Sequence, residues 1–178
     1  MPRILDVGCG LSKFPGSIGV DVNPQTDADV ICDLDRGHLP FRENSFDEVR
    51  AVHVIEHVED SILTIEEFHR VARPGGTVFL VTPHYTDISS YTDPTHRRHL
   101  STESFHYFHP GGKHGSESWY TQARLKELDV QVRLLRVWRL IGLELLVNHA
   151  RWFRRFWDQY LSFVIRGKVM QFTLEVVK

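Results

Sequence analysis

The 178-residue chain has only two cysteines, and it contains no internal repeat and no low-complexity tract. So few cysteines exclude a disulfide framework, and we expect a cytoplasmic protein. No window approaches the ~20 apolar residues of a membrane span, and the first residues lack the charged-then-apolar pattern of a signal peptide. We therefore expect neither a membrane anchor nor a targeting segment.

The chain also lacks a strong excess of either charge. Its net charge is −2 and its pI is near 6.6, values that do not favour tight nucleic-acid binding. The charges are nevertheless unevenly spread, because residues 1–60 carry 5 Lys/Arg against 12 Asp/Glu, whereas residues 121–178 carry 11 against 5. The basic half either faces an anionic substrate or partner, or simply keeps its surface elements solvated.

Short apolar runs bounded by glycine, proline, asparagine or aspartate predict five strands, at 3–7, 17–22, 28–32, 46–54 and 76–82. Further along the chain, the patterns predict helices at 60–72, 101–108 and 150–165 and strands at 129–141 and 169–177. We expect an α/β, Rossmann-like three-layer sandwich. Its sheet is seven-stranded and mostly parallel, with an antiparallel C-terminal edge.

The first connections between strands are unusually short. Only ten residues separate Gly10 from Asp21, too few for a full crossover helix followed by a strand. The early crossover helices are therefore predicted to be shortened. The helix predicted at 60–72 has clearer start and stop signals. Asp60 or Ser61 can cap its N-terminus, and Pro74-Gly75-Gly76 is expected to end it.

The most informative segment is Asp6-Val7-Gly8-Cys9-Gly10, where a buried strand breaks into a glycine turn. Glycines at such a turn allow a ligand to approach the backbone closely, because no Cβ stands in the way. The next strand ends at Asp21, whose carboxylate is suited to ribose hydroxyls. Together the two features indicate a nucleoside-bearing cofactor at the carboxyl ends of a parallel sheet.

Further motifs follow in order, at Cys32-Asp33-Leu34, Ser45-Phe46-Asp47-Glu48-Val49, His53-Val54-Ile55-Glu56-His57-Val58 and Arg70-Val71-Ala72-Arg73-Pro74-Gly75-Gly76. With the glycine turn and Asp21, this series resembles the class I S-adenosylmethionine-dependent methyltransferases, in particular the small type 11-like group. The resemblance spans residues 4–82. It implies S-adenosylmethionine as cofactor and S-adenosylhomocysteine as product.

The resemblance also implies which residues hold the cofactor. The glycine turn would wrap its methionine part, the second strand would bind the ribose, the third strand end would meet the adenine, and His53 would lie beside the transferred methyl group. The cofactor-binding residues predicted in this way are Asp6, Gly8, Cys9, Gly10, Asp21, Val22, Asp33, Leu34 and His53.

A dinucleotide-dependent dehydrogenase is the main rival for a glycine-rich first turn. Its fingerprint requires a third glycine, and Lys13 occupies that position here. Asp21 also follows the turn sooner than that fingerprint expects. The chain departs from its own family too, because residues 11–16 replace the long helix that usually follows the turn.

Methyl transfer needs a general base only when the acceptor is protonated at the working pH. We take His53, His84 and Tyr85 as the catalytic candidates, since they follow the fourth and fifth strands. His53 is equally consistent with a pocket wall that never moves a proton. His57 is expected to pack under the following helix, and His99 is a further candidate base.

Eleven histidines raise the question of a metal. A histidine-rich series follows the fifth strand, comprising His96, His99, His106, His109 and His114. Its spacing matches no standard zinc pattern and no cysteine contributes, so no metal site is predicted. The segment 93–99 is instead expected to form a turn whose basic side chains meet an anionic substrate or a carboxylate.

Residues 1–178 are predicted to form a single methyltransferase domain. Within it, 1–82 would bind the cofactor, 83–120 would form a lid or substrate loop, and 121–178 would add a strand, a helix and a strand. A small-molecule acceptor is favoured over RNA or protein. The alternative function is an inactive cofactor-binding regulatory or scaffold subunit. The aromatic helix at 150–165 is core, or a surface for a homo-oligomer or partner.

Overall fold

A seven-stranded sheet forms the centre of the computed structural model, which describes residues 2–111 and 120–178. The strands in chain order are β1 Ile4–Val7, β2 Ile18–Asp21, β3 Val30–Ile31, β4 Phe46–Val52, β5 Ala72–Pro83, β6 Arg124–Leu134 and β7 Gly167–Val177. Their spatial order is β3-β2-β1-β4-β5-β7-β6. The order reverses between β1 and β4, which is where open α/β sheets bind their ligands.

The sheet is parallel from β3 through β5 and antiparallel at β7 and β6. Leu5 pairs with Ile18 on one side and with Val49 on the other. These central strands are apolar because the sheet interior is buried, with Leu5, Val49 and Val78 fully enclosed. The predicted fold, with its antiparallel C-terminal edge, is confirmed.

Helices cover the sheet mainly after β4 and between β6 and β7. The α-helices are α1 Ser61–Val71, α2 Ser89–Thr92, α3 Arg136–Leu140, α4 Leu143–His149 and α5 Arg151–Phe156, and 3₁₀ turns lie at Leu34–Arg36 and Ser104–Phe108. Asp60 caps α1 by accepting hydrogen bonds from the backbone N–H groups of Ile62 and Leu63. The buried face of α1 carries Ile65 and Phe68.

Turns replace the first two crossover helices, which confirms the predicted shortening: residues 8–17 and 22–29 contain no helix. Side chains cover part of the sheet instead. The Arg50 guanidinium lies over the rings of Phe14 and Phe79, 4.2 and 4.3 Å from their centroids. The stem of Lys13 packs over Gly19, where an added Cβ would lie 2.5 Å from Lys13 Cδ.

Two elements of the C-terminal third differ from the predictions. The strand expected at 129–141 runs instead over Arg124–Leu134, and Val137 belongs to α3. β6 ends at Leu134 because that residue pairs with Gly167, the first residue of β7. Residues after Leu134 therefore have no β7 residue to pair with. The helices α3 and α4, between residues 136 and 149, were not predicted.

The helix predicted at 150–165 is shorter and changes type. α5 ends at Phe156 and continues as a π-helical turn, Trp157–Leu161. Trp157 is fully buried and its indole N–H donates to the Ile165 carbonyl at 2.7 Å, which draws the chain inward. Trp152, Tyr160 and Phe163 are exposed. The oligomer or partner contact through this segment stays a prediction.

Smaller differences concern helix ends. α1 stops at Val71, before Pro74-Gly75-Gly76, because Ala72 already pairs with Phe46 of β4. The helix predicted at 101–108 is only the 3₁₀ turn Ser104–Phe108.

Cys9 and Cys32 are free thiols. Within residues 2–111 and 120–178, every helix is too short or too polar to cross a membrane.

Candidate functional site

The carboxyl ends of four adjacent parallel strands surround a cleft of about 390 Å³. Its lining residues are Val7, Gly8, Val20, Asp21, Val22, Cys32, Asp33, Leu34, Asp35, His53, Val54, His57 and Val58. The walls combine apolar side chains with carboxylates and imidazoles, a composition typical of small-molecule sites of this size. Six of the predicted cofactor residues lie in this lining, namely Gly8, Asp21, Val22, Asp33, Leu34 and His53.

Gly8 forms the floor of the cleft, and two features require glycine there. Its φ is +64°, which is unfavourable for a residue with a side chain. A Cβ at this position would also lie 2.3 Å from Val54 Cγ2. The backbone N–H groups of Gly8 and Cys9 donate to the Val20 carbonyl, at 2.7 and 3.2 Å, so the turn is tied to β2.

Asp6, Cys9 and Gly10 are not among the residues that line the cleft. The Asp6 carboxylate is buried and accepts a hydrogen bond from the Phe14 N–H at 2.8 Å. Burial raises the pKa of Asp6, although this hydrogen bond and nearby Arg50 and Lys13 oppose the rise. This hydrogen bond ties the Asp6 carboxylate to residues 11–16, and the cofactor contacts expected of Asp6, Cys9 and Gly10 stay predictions.

Asp21 joins the glycine turn to the end of β2. One carboxylate oxygen accepts the Gly10 N–H at 2.9 Å, and the other accepts the Asn23 N–H at 2.9 Å. Each oxygen retains a second lone pair. A carboxylate fixed in this way is held at the cleft wall in a single orientation.

Asp33 and Leu34 lie at the end of β3, where the chain turns into a 3₁₀ turn. An Asp33 oxygen caps that turn by accepting the Asp35 N–H at 3.0 Å. The other oxygen pairs with Arg36 Nε at 3.1 Å. The cap and the ion pair hold this carboxylate in place at the cleft lining.

His53 follows β4 with φ at +57°, in the left-handed region that a side-chain-bearing residue adopts at a cost. Its N–H donates to the Val81 carbonyl at 2.8 Å, which holds this conformation. Its ring Nδ1 lies 3.0 Å from Oε1 of Glu56, a residue that is only 1% exposed. The Glu56 hydrogen bond raises the pKa of His53, against an opposing effect of burial.

His57 corrects one prediction. It does not pack under α1; it lines the cleft, and its ring contacts the His96 ring with centroids 4.6 Å apart. The reason lies in the chain path after β4. Residues 93–98 dock on this loop, with the Arg97 and Arg98 N–H groups donating to the Glu56 carbonyl at 2.8 and 3.1 Å.

His84 and Tyr85, predicted as catalytic, lie elsewhere. His84 is completely buried; the Thr86 N–H donates to its Nδ1 at 3.2 Å, and its Nε2 lies 3.1 Å from the Asp158 carboxylate. The Tyr85 hydroxyl donates to the Asp158 carbonyl at 2.8 Å. Neither residue lines the cleft, and Tyr85 lines a different cavity, so the catalytic role of both stays a prediction. His99 also lies away from the cleft, with its ring stacked on Tyr91.

A second cavity, of about 830 Å³, is larger but shares no lining residue with the cleft. Glu103, His106, Arg151 and Arg155 contribute to its charged wall. The sequence motifs converge on the smaller cleft, and we take that cleft as the functional site.

The sequence analysis did not identify Glu56 as a site residue. Its position between His53 and His57 in the sequence was the signal available. His114 lies outside the described residues.

Comparison with known proteins agrees with this placement. A family described as "Methyltransferase domain" matches residues 5–80, the segment that builds the cleft. The demethylmenaquinone methyltransferase of Chlorobaculum parvum is 31% identical over 99 residues, covering 46% of this chain and 41% of that protein. This chain thus matches less than half the length of that relative.

A second relative aligns over more of the chain. The ubiquinone biosynthesis O-methyltransferase of Xanthomonas oryzae pv. oryzae is 26% identical, covering 92% of this chain and 76% of that protein. Among solved structures, an S-adenosylmethionine-dependent methyltransferase from Archaeoglobus fulgidus shares the fold, with a TM-score of 0.62 and 17% identity over 98% of this chain and 86% of that one. Residues 5–80 thus match a methyltransferase domain family, and the chain shares its fold with solved S-adenosylmethionine-dependent methyltransferases.

Proposed function

We propose that this chain transfers a methyl group from S-adenosylmethionine to a small-molecule acceptor. The observation that carries the proposal is the convergence of Gly8, Asp21, Asp33 and His53 on one cleft at the switch point of the sheet. A regulatory or scaffold subunit is the alternative. An intact set of cleft residues favours the enzyme.

The chemistry of the cleft residues fits the cofactor. Asp21 offers two fixed carboxylate oxygens as acceptors for the ribose hydroxyls. Asp33 provides an acceptor for the exocyclic amine of adenine, beside the apolar side chains of Leu34 and Val58. Gly8 leaves the backbone bare where the methionine part would lie. These assignments are what the resemblance to the methyltransferases implies, and the acceptor types at the cleft wall support them.

When bound, S-adenosylmethionine supplies a methyl group already activated by its sulfonium, so positioning of the acceptor provides much of the rate. His53 is the residue we assign to proton transfer. With Nδ1–H donated to Glu56, its Nε2 carries the lone pair and takes the proton from an acceptor O–H or N–H. Glu56 therefore positions His53 and favours its charged form.

The acceptor class is supported by the relatives, whose names describe quinone-pathway methyltransferases. We propose that residues 83–120 cover the acceptor, as a lid on the side left open by the shortened crossovers. His96 and Thr95 of that segment already contact His57 at the cleft edge. Residues 1–82 would then bind the cofactor, and 121–178 would complete the sheet.

Two measurements test the proposal in sequence. Calorimetric titration with S-adenosylhomocysteine should show one site per chain, and absence of binding would refute cofactor use. The purified chain, incubated with tritiated-methyl cofactor and a fractionated cell extract, should label the small-molecule fraction. Label in RNA or protein fractions alone would refute the acceptor class, and binding without any transfer would favour the scaffold.

A further inference from the structure

Two loops that are forty residues apart in sequence bring three metal-ligating side chains together beside the cleft. Glu56 and His57 come from the loop after β4, and His96 comes from the segment after α2. One candidate ligand atom from each residue lies within 4.8 Å of the others. No predicted spacing pattern indicated this group, because the fold and not the local sequence creates it.

The Glu56 carboxylate gives the strongest sign of a missing ligand. The residue is 1% exposed, and Oε1 is occupied by the His53 ring at 3.0 Å. Its second oxygen, Oε2, is buried and has no hydrogen-bond partner among residues 2–111 and 120–178. A buried carboxylate oxygen without a partner carries a large desolvation cost, and native proteins rarely leave such an atom unsatisfied.

In both histidines, ring Nδ1 is already engaged by a neighbouring oxygen. Thr95 Oγ1 donates to Asp93 Oδ1 at 2.6 Å, so its oxygen accepts from His57 Nδ1 at 2.9 Å. His96 Nδ1 lies 3.3 Å from the Ser90 carbonyl, to which it donates. Both rings therefore have Nε2 as the free lone pair. Metal-binding histidines are held in this manner, with the second nitrogen fixed by an outer partner.

The surrounding charge also favours a cation. Asp93 Oδ2 lies 3.8 Å from His96 Nε2, which adds negative charge beside the group. Arg97 and Arg98 are close in sequence, but the Arg97 guanidinium is turned to Glu59 at 2.7 Å and the Arg98 guanidinium donates to the Glu59 carbonyl. Their backbone N–H groups, in contrast, clamp the loop that carries Glu56.

We propose that Glu56 Oε2 and the Nε2 atoms of His57 and His96 bind one divalent transition-metal ion. Two imidazoles and one carboxylate suit Zn²⁺, and the same set serves Fe²⁺ in other proteins. Bonds of ~2.1 Å require ligand atoms about 3.4 Å apart, so the three side chains close slightly on the ion. The ion fixes segment 93–98 onto the end of β4, next to His53.

The site rests on side chains of the described residues and not on the proposed methyl transfer. Its probe is Zn²⁺, titrated calorimetrically into chain that has been dialysed against EDTA. The expected result is one ion per chain, with an increase in the unfolding temperature, because a ligand that binds only the folded state stabilises it. Co²⁺ provides a spectroscopic readout of the same ligands.

The variants Glu56→Gln and His96→Ala should each weaken Zn²⁺ binding at least tenfold, roughly the smallest loss that metal-site changes cause. His149→Ala is the matched control, since His149 is an exposed histidine on α4 and should leave the affinity unchanged. His96→Gln serves as a second variant if His96→Ala fails to fold, judged by thermal unfolding in EDTA.

Failure to bind Zn²⁺ at one ion per chain would overturn the site. Binding that survives in both Glu56→Gln and His96→Ala would overturn it equally. Titration of the metal-free chain with S-adenosylhomocysteine is carried out in parallel. If the unsubstituted chain binds S-adenosylhomocysteine but not Zn²⁺, this inference is refuted and the proposed function stands. If it binds Zn²⁺ but not S-adenosylhomocysteine, the proposed function is refuted and the metal site stands.

Discussion

At the residue scale, the cleft depends on a few positions where geometry leaves little choice of amino acid. Gly8 must accept a positive φ and the approach of Val54. Asp21 must hold two backbone N–H groups while facing the cleft. His53 keeps a strained backbone whose N–H is bound by β5. Strain of this kind is concentrated where a protein meets its ligands.

Gly8→Ala is expected to destabilise the fold by about 2–4 kcal/mol, because the new Cβ would meet Val54 in an already unfavourable backbone conformation. Gly16→Ala is the matched control, with a similar φ of +78° and open space around it. It should lose only about 1 kcal/mol. Urea unfolding of both variants provides the comparison, and equal losses would contradict the steric argument.

Asp21→Asn should weaken S-adenosylhomocysteine binding by roughly tenfold or more, since the amide keeps the shape but loses the charge and one acceptor. Asp27→Asn removes an exposed carboxylate from the neighbouring turn, outside the cleft lining, and should bind normally. Calorimetric titration distinguishes the two variants. Unchanged affinity of Asp21→Asn would remove this residue from the proposed ribose site.

At the scale of elements, the segments after β5 and after α5 are fastened to each other by a buried polar network. His84 and Thr102 both contact the Asp158 carboxylate, with Thr102 N–H at 3.0 Å. Burial raises the pKa of Asp158, but the hydrogen bonds from His84 and Thr102 outweigh burial and lower it overall. The network joins strand β5 to the π-helical turn.

His84→Ala is expected to cost about 2–4 kcal/mol of stability, because it removes buried packing and leaves the Asp158 carboxylate short of a donor. Tyr85→Phe, which loses only the hydroxyl bonds to Asp158 and Ser162, should cost about 1 kcal/mol. Both should retain cofactor affinity. A His84 variant that is stable but unable to transfer methyl groups would support the predicted catalytic role.

The sequence predicted the parallel half of the fold closely because each strand there is a short apolar run bounded by glycine, proline or aspartate. It predicted β6 poorly, since the boundary at Leu134 is set by where β7 begins and not by a local signal. The histidines show the same contrast between local sequence signals and contacts that only the fold creates. His53 was found through its motif, whereas His57 and His96 were brought together by a loop whose path no periodicity reveals.

At the scale of the whole molecule, a charge cluster connects the segment before β6 to the C-terminal helices. His106 lies 3.1 Å from both the Glu103 and Glu127 carboxylates. These two hydrogen bonds raise the pKa of His106 to about 9. A protonated ring donates from both nitrogens, so Arg151, 3.0 Å from its Nε2, is a charged neighbour and not a donor to it.

Glu103 responds in the opposite direction. Burial alone would raise its pKa, but hydrogen bonds from His106 and Arg155 lower the pKa of Glu103 to about 2. The contribution of His106 to stability is complete below its usual pKa of 6.5 and is lost as the pH rises toward about 9. The contribution of Glu103 is complete above 4.5 and is lost as the pH falls toward about 2.

Stability from this cluster should therefore be greatest between about pH 4.5 and 6.5. Between pH 6.5 and 9, we expect a loss of about 2 kcal/mol, after allowing for solvent screening of these partly exposed groups. His106→Gln should abolish most of this alkaline decline in the free energy of unfolding, measured by urea denaturation. An unchanged decline in the variant would exclude His106 as its source.

The short turn between β1 and β2 has a consequence for how the cleft would respond to the proposed cofactor. With no helix behind Gly8 and Gly10, their order comes from a few hydrogen bonds to Val20 and Asp21. A ligand bound in the cleft would therefore stabilise the turn that carries Gly8 and Gly10. Hydrogen exchange at these amides should therefore slow sharply when the cofactor binds. The turn would then reach its full order only in the cofactor complex.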